Sequence, residues 1–155
     1  MAKRFYDSGK FDDPFYRKLS PEMKGAYEYI QCKCNYAGVL DIDIEDINFK
    51  VGCKNITFES LKAAFQDKFV ILDESPNRLK IFMPKFIFWQ YKNELIPTNG
   101  VHRNVVEQLE QEAINIEQFL APLVEKEDFR GWKDLYRMIS GMGMTYKDWI
   151  KQNRS

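Results

Sequence analysis

Residues 20–83 read SPEMKGAYEYIQCKCNYAGVLDIDIEDINFKVGCKNITFESLKAAFQDKFVILDESPNRLKIFM, and the spacing of their apolar residues decides the fold. The opening part carries apolar side chains at helical intervals and predicts the first core helix. Its apolar stripe consists of Met23, Ala26, Tyr27, Ile30 and Cys34. Residues 35–38 then break this helix, and residues 39–43 alternate apolar and acidic side chains, which predicts a short, half-buried strand.

Two short helices are predicted after this strand. Asp43 suits the N-cap of the first helix, and Gly52 suits its end. Thr57 suits the N-cap of the second helix, because threonine side chains accept hydrogen bonds from the first turn. The apolar face of that second helix consists of Phe58, Leu61, Ala64 and Phe65.

A hairpin closes the stretch. Two β-type runs, residues 69–72 (FVIL) and 79–83 (LKIFM), flank residues 73–78, which contain a Ser-Pro-Asn turn. Helix, strand, two helices and a hairpin follow one another in the order of a winged helix-turn-helix. We therefore predict a mainly α fold with a small β-hairpin, in which a winged helix-turn-helix spans residues 1–91.

The remaining residues are predicted to form a C-terminal helical extension, 92–155, used for packing or assembly. Before it, residues 85–91 (KFIFWQY) are aromatic enough to pack on the domain, either as a further strand or as a turn of helix. Within the extension, Asn115 and Gln118 resemble a capping box that restarts a helix. Pro122 is expected to kink that helix.

Composition limits the classes of function. The chain has 155 residues with 45% hydrophobic residues, enough to bury a core, and its 23 basic residues balance its 23 acidic ones. Attraction to nucleic acid must therefore come from a local patch. Three cysteines, an odd number, fit a reducing compartment, so we expect a cytoplasmic protein. No apolar run reaches the roughly 20 residues of a membrane helix, and no membrane partner is expected.

Several pieces of the chain resemble the N-terminal winged-helix DNA-binding domains of phage and prophage replication initiators and replisome organisers. They are the Lys3-Arg4-Phe5 opening, the turn at residues 36–39 (YAGV), the passage into residues 69–71 (FVI), and KFIFWQY followed by residues 99–103 (NGVHR). The resemblance covers about the first two thirds of the chain. It implies a non-enzymatic protein of phage-type DNA replication that docks on origin duplex and recruits a helicase or its loader through its remaining part.

The second helix of the pair would then enter the major groove, where Gln66 can read adenine and Ser60 can contact a phosphate. Turn and hairpin residues would add phosphate contacts. The full predicted DNA-binding set is Lys50, Lys54, Asn55, Ser60, Lys62, Gln66, Arg78 and Lys80. Because that helix holds Glu59 and Asp67 against a single Lys62, an alternative function stays open: a winged-helix protein–protein interaction module that does not bind DNA.

The C-terminal third carries aromatic and methionine residues that suit a docking face, either for a replication protein or for a second copy in a homodimer. The predicted partner-binding residues are Trp132, Tyr136, Met142 and Trp149. Trp89 and Tyr91 could stack unpaired bases, but core packing is the favoured interpretation.

Metal and catalytic sites are not favoured by the sequence, and no cofactor is expected. The chain contains four residues of the types that bind zinc, namely Cys32, Cys34, Cys53 and His102. The first two cysteines, however, lie two residues apart on a helix and point to different faces. Four carboxylates, Asp41, Asp43, Glu45 and Asp46, could hold a divalent cation. A solvated strand face followed by an acidic helix N-terminus explains them better. Neither a phosphate-binding loop nor a nucleophile–base pair is recognisable, so we expect no enzyme.

Overall fold

The computed structural model describes Arg4, residues 8–91, residues 95–126 and Asp148. The chain divides into two compact units, Met1–Met83 and Pro84–Ser155. The boundary predicted from the sequence lies between residues 91 and 92, so residues 85–91 fall in the second unit rather than in the first.

The first unit combines short helices with a small antiparallel sheet. This mixture agrees with the predicted mainly helical fold with a β-hairpin, although a third strand joins the hairpin. In chain order, its elements are a 3₁₀ turn (Ser8–Asp12), α1 (Pro14–Arg17), α2 (Pro21–Lys33), β1 (Val39–Asp43), α3 (Ile44–Val51), α4 (Phe58–Phe65), β2 (Val70–Glu74) and β3 (Arg78–Phe82).

The helices of this unit begin and end where local chemistry predicts. Ser20 caps α2 by accepting a hydrogen bond from the backbone N–H of Met23. Asp43 caps α3, since its Oδ1 accepts the backbone N–H groups of Glu45 and Asp46, both at 2.9 Å. Gly52 ends α3 in the left-handed conformation, with φ of 80°, which a glycine adopts without steric cost.

The sheet has the strand order β1–β3–β2, with both pairs antiparallel. Strand β1 pairs with β3 along its whole length, from Val39 opposite Phe82 to Asp43 opposite Arg78. The alternation in residues 39–43 predicts the strand itself, but the identity of its partner depends on non-local pairing. Asn35 prepares the turn into β1, because its side-chain oxygen accepts the backbone N–H of Val39 at 2.9 Å.

The core of the first unit includes the apolar face of α4, which packs against α2. Leu61 and Phe65 are buried, as the helical spacing predicts. The ring of Phe65 stacks on Tyr27 from α2, with a centroid distance of 5.6 Å. Ile30, Ile47, Leu79, Ile81 and Phe82 are also almost fully buried. Each such side chain stabilises the fold by about 1.5–3 kcal/mol relative to its exposed state.

The described part of the second unit is helical. Its elements are α5 (Phe86–Tyr91), α6 (Gly100–Gln111), α7 (Ile116–Phe119) and α8 (Ala121–Lys126). The sequence left residues 85–91 open between strand and helix, and in the structure residues 86–91 of this run form a helix. Asn115 caps α7 by accepting the backbone N–H of Gln118 at 3.0 Å. The predicted kink at Pro122 takes the form of a break at Leu120, and the proline sits in the first turn of α8, where it is tolerated.

The four predicted partner-binding residues, Trp132, Tyr136, Met142 and Trp149, lie outside the residues that the structure describes. Among the helices that are described, none has the length and apolar character needed to cross a membrane.

Close packing of α2 against α3 leads to a first prediction. A Cβ atom added at Gly25 would lie 2.6 Å from Cγ1 of Val51. A helical Gly→Ala change normally stabilises a protein by about 1 kcal/mol. We expect Gly25→Ala to lower the free energy of unfolding instead, by about 1–3 kcal/mol, because the stiff valine cannot move aside.

Urea denaturation followed by circular dichroism measures this change. The matched control introduces Gly25→Ala into a Val51→Ala background, where the obstructing methyl group is gone and the alanine should stabilise. A higher free energy of unfolding for Gly25→Ala in the wild-type background would contradict the close contact between Gly25 and Val51.

Candidate nucleic-acid interface

The exposed side of α4 is the surface that a groove-binding helix would present. Glu59, Ala63 and Gln66 are exposed along it, while Leu61 and Phe65 lie on the opposite, buried face. Gln66 is the C-cap residue of α4, so its side chain is placed at the end of the helix. This arrangement agrees with the faces expected from the sequence.

Asn48 holds the connection that leads into α4. Its side-chain nitrogen donates to the carbonyl oxygens of Ile44 (2.9 Å) and Ile56 (2.8 Å). Its side-chain oxygen accepts the backbone N–H of Ile56 at 2.9 Å. One amide therefore ties the end of the α3–α4 turn to the body of α3 and sets the point from which α4 starts. The sequence carries no signal for this role.

Ser60 belongs to the N-terminal cap of α4. Its hydroxyl accepts the backbone N–H of Thr57 at 2.9 Å and donates to the carbonyl oxygen of the same residue at 2.8 Å. In return, Thr57 Oγ1 accepts the backbone N–H of Ser60 at 3.1 Å. The hydroxyl that we predicted to contact a phosphate is thus already engaged in a capping box.

Lys62 is held between two carboxylates. Its Nζ lies 2.9 Å from Glu59 on the same helix and 2.8 Å from Glu74 at the end of β2. Hydrogen bonds to Glu74 and Glu59 raise the pKa of Lys62, so the lysine stays charged but is neutralised locally. The link between α4 and β2 could not be found from the sequence, since Lys62 and Glu74 are 12 residues apart.

The two predicted cations of β3 also face carboxylates. Arg78 Nη1 lies 3.0 Å from Asp41 of β1. Lys80 stands opposite Asp41 on one side and Asp73 of β2 on the other. Because β3 is the central strand, acidic residues of both neighbours flank its basic side chains. The hairpin thus offers less positive charge to a phosphate than its sequence suggests.

The remaining predicted contacts lie around the turn between α3 and α4. Lys50, Lys54 and Asn55 are all exposed there. Lys50 is in the last turn of α3, and its Nζ lies 5.9 Å from the ring centroid of Phe49. Like Gln66, these three residues show no side-chain hydrogen bond or ion pair within the part of the chain that the structure describes.

A second surface combines acidic residues with an exposed aromatic ring. Phe49 of α3 is 80% exposed, whereas other phenylalanines of this unit are buried in the core. An open concavity is lined by Asp41, Asp43, Glu45, Asp46, Phe49 and Arg78. Sequence reasoning missed Phe49. The signal was available, because this residue lies outside the apolar stripe of its own helix.

Three of the four carboxylates of this surface have structural partners. Asp43 caps α3, Asp41 pairs with Arg78, and Asp46 accepts a hydrogen bond from Tyr29 Oη at 2.7 Å. Burial, followed by this hydrogen bond, raises the pKa of Tyr29 to about 12. In the described ranges, no group of three histidine, cysteine or carboxylate side chains is arranged to hold a metal ion.

The three cysteines and the histidine differ in their burial and in their contacts. Cys32 is exposed, Cys34 is buried and Cys53 is half-buried. Burial is the main cause that raises the pKa of Cys34 to about 12, which keeps it protonated. His102 belongs to the second unit, where its Nδ1 accepts the backbone N–H of Ile96 at 2.8 Å.

The aromatic residues of α5 divide between the interior and the surface. Phe86, Ile87 and Phe88 are buried, whereas Trp89 is 46% exposed. The ring of Tyr91 packs edge-on against His102, with a centroid distance of 5.3 Å. Trp89 is therefore the better placed of the two residues that we considered for base stacking.

Comparisons of the chain with protein-family models, with curated proteins and with solved structures found no match.

The Asn48 bridge leads to a second prediction. Asn48→Ala leaves the buried backbone groups of Ile56 without their partners, and we expect it to lower the free energy of unfolding by about 1–3 kcal/mol. Asn55→Ala, an exposed asparagine in the same turn, serves as the control and should change it by less than about 0.5 kcal/mol. Chemical denaturation of both variants measures the difference. Equal, small effects would show that the bridge does not hold the turn.

Proposed function

We propose that the first unit is a winged helix that binds duplex DNA and that the protein acts in phage-type DNA replication without catalysing a reaction. The connectivity of the first unit carries this proposal. Its elements run α2–β1–α3–α4–β2–β3, so the β2–β3 hairpin follows the helical pair in the chain, and β3 pairs with β1. This order of elements is typical of a winged helix-turn-helix, and in a helix-turn-helix the second helix of the pair serves as the recognition helix.

The geometry of α4 supports a groove-binding role. The helix buries Leu61 and Phe65 and leaves Glu59, Ala63 and Gln66 outside. In a helix-turn-helix, the residues near the start of the second helix contact base edges. Gln66 can form a bidentate pair with adenine, but it lies at the far end of this short helix.

Phosphate contacts are proposed for the α3–α4 turn. Lys50 and Lys54 can approach the backbone directly, and Asn55 can donate a hydrogen bond beside them. Because Lys62 and Arg78 are paired with carboxylates, the number of neutralised phosphates is small. The proposal therefore implies binding with a shallow salt dependence.

The place in replication rests on the sequence resemblance to phage and prophage initiators and replisome organisers. On that basis, the C-terminal part, including Trp132, Tyr136, Met142 and Trp149, is proposed to contact a helicase, a helicase loader or a second copy of the chain. A cytoplasmic location belongs to the same proposal.

Binding to DNA leads to a third prediction. Fluorescence anisotropy of a labelled 20-base-pair duplex at several salt concentrations should show binding by the wild-type protein. Lys50→Ala/Lys54→Ala should weaken it and reduce the slope of log K against log salt by about 1.8, or about 0.9 for each lost contact.

The control variant, Lys18→Ala/Lys33→Ala, removes the same charge from exposed positions outside the α3–α4 turn. It should keep most of the affinity. Absence of binding at low salt, or an equal loss in both variants, would rule out the proposed contacts.

A protein-docking module is the second candidate, and the surface around Phe49 favours it. An aromatic ring that is 80% exposed among carboxylates suits a basic partner whose arginine or lysine covers the ring. On this hypothesis, the acidic rim selects the partner by charge.

This candidate leads to a fourth prediction. Peptides selected on the wild-type protein from a random displayed library should be rich in lysine and arginine and should lose binding to Phe49→Ser. The control, Phe11→Ser, changes another exposed phenylalanine of the same unit and should keep the binding. Selected peptides that bind both variants equally would exclude this surface.

A further inference from the structure

The strongest unexplained feature of the proposed DNA-binding face is the position of Lys62 between Glu59 and Glu74. The two carboxylates lie 2.9 Å and 2.8 Å from its ammonium group. They come from different elements, α4 and β2, so the cluster joins the proposed recognition helix to the hairpin. One positive and two negative charges leave this cluster with a formal charge of −1.

Helix stability explains only one of the two glutamates. Glu59 lies in the first turn of α4, where a negative side chain is favoured by the helix dipole. Glu74 lies at the end of β2, and its carboxylate has no helix terminus to stabilise. It reaches Lys62 across the face, although the Glu59 carboxylate already pairs with that lysine. A second carboxylate therefore makes the site negative rather than neutral.

A negative site at this position opposes sequence-independent binding. Non-specific affinity for a duplex comes almost entirely from contacts between cations and phosphates. Lys62 can make such a contact only after it leaves both glutamates, and those carboxylates then face the phosphate. The penalty therefore acts on phosphate attraction, which supplies essentially all of the non-specific binding.

We propose that Glu59 and Glu74 withhold Lys62 from phosphate and so suppress non-specific binding to duplex DNA. This inference rests on the proposed function.

The test uses four forms of the full chain and a labelled 20-base-pair duplex of random sequence. Glu59→Gln/Glu74→Gln removes both charges and keeps the side-chain size. Adding Lys62→Ala to this pair removes the cation that it should release. Glu22→Gln/Glu45→Gln makes the same change in net charge at exposed positions outside the cluster. Thermal unfolding by circular dichroism verifies that each form is folded.

We expect Glu59→Gln/Glu74→Gln to bind the random duplex severalfold more tightly than the wild type. Its slope of log K against log salt should be steeper by about 0.9, which corresponds to one additional phosphate contact. The gain should therefore shrink by about 3.5-fold between 50 and 200 mM salt. Adding Lys62→Ala should abolish the gain, and Glu22→Gln/Glu45→Gln should not reproduce it.

The outcomes separate this inference from the proposed function. If the wild type binds and the double variant binds equally, the inference is wrong and DNA binding stands. A gain that survives Lys62→Ala, or appears equally in the control, also overturns it. If only the double variant binds, the two glutamates do block DNA, and the DNA-binding function of the natural chain is wrong. If no form binds, both are overturned.

Discussion

The pairing of β1 with β3 is the constraint on which the rest of the first unit depends. It joins a strand that precedes the helical pair to one that follows it, so α3 and α4 are enclosed between two hydrogen-bonded partners. The same pairing makes β3 the central strand and buries Leu79, Ile81 and Phe82. It also sets the electrostatics, because the acidic residues of β1 are brought beside the basic residues of β3.

Local chemistry explains what could be predicted from the sequence. Asp43, Thr57 and Asn115 are caps whose partners lie within three residues, and each helix starts where its cap requires. The burial of Leu61 and Phe65 likewise follows from helical spacing alone. The coarse fold, which consists of short helices with a hairpin, can therefore be predicted from the sequence.

Non-local chemistry explains what could not be predicted. The partner of β1, the capture of Lys62 by Glu74 and the diagonal pair of Arg78 with Asp41 each join residues far apart in the sequence. A list of cations in the sequence does not show which of them are neutralised in the folded chain. The location of the candidate interface, on α4 and the neighbouring turns, stays a prediction, and the pairing of its cations with carboxylates could not be predicted from the sequence.

Strand β2 has a consequence for the behaviour of the folded chain. The register of its pairing with β3 shifts between Ile71 and Asp73, so this outer strand of the sheet is irregular. It then ends in two consecutive carboxylates, Asp73 and Glu74. Irregularity and charge on an outer strand both discourage hydrogen bonding to a strand of another molecule. This edge is thereby protected against strand exchange and the growth of aggregates, even though Ile71 is 41% exposed on it.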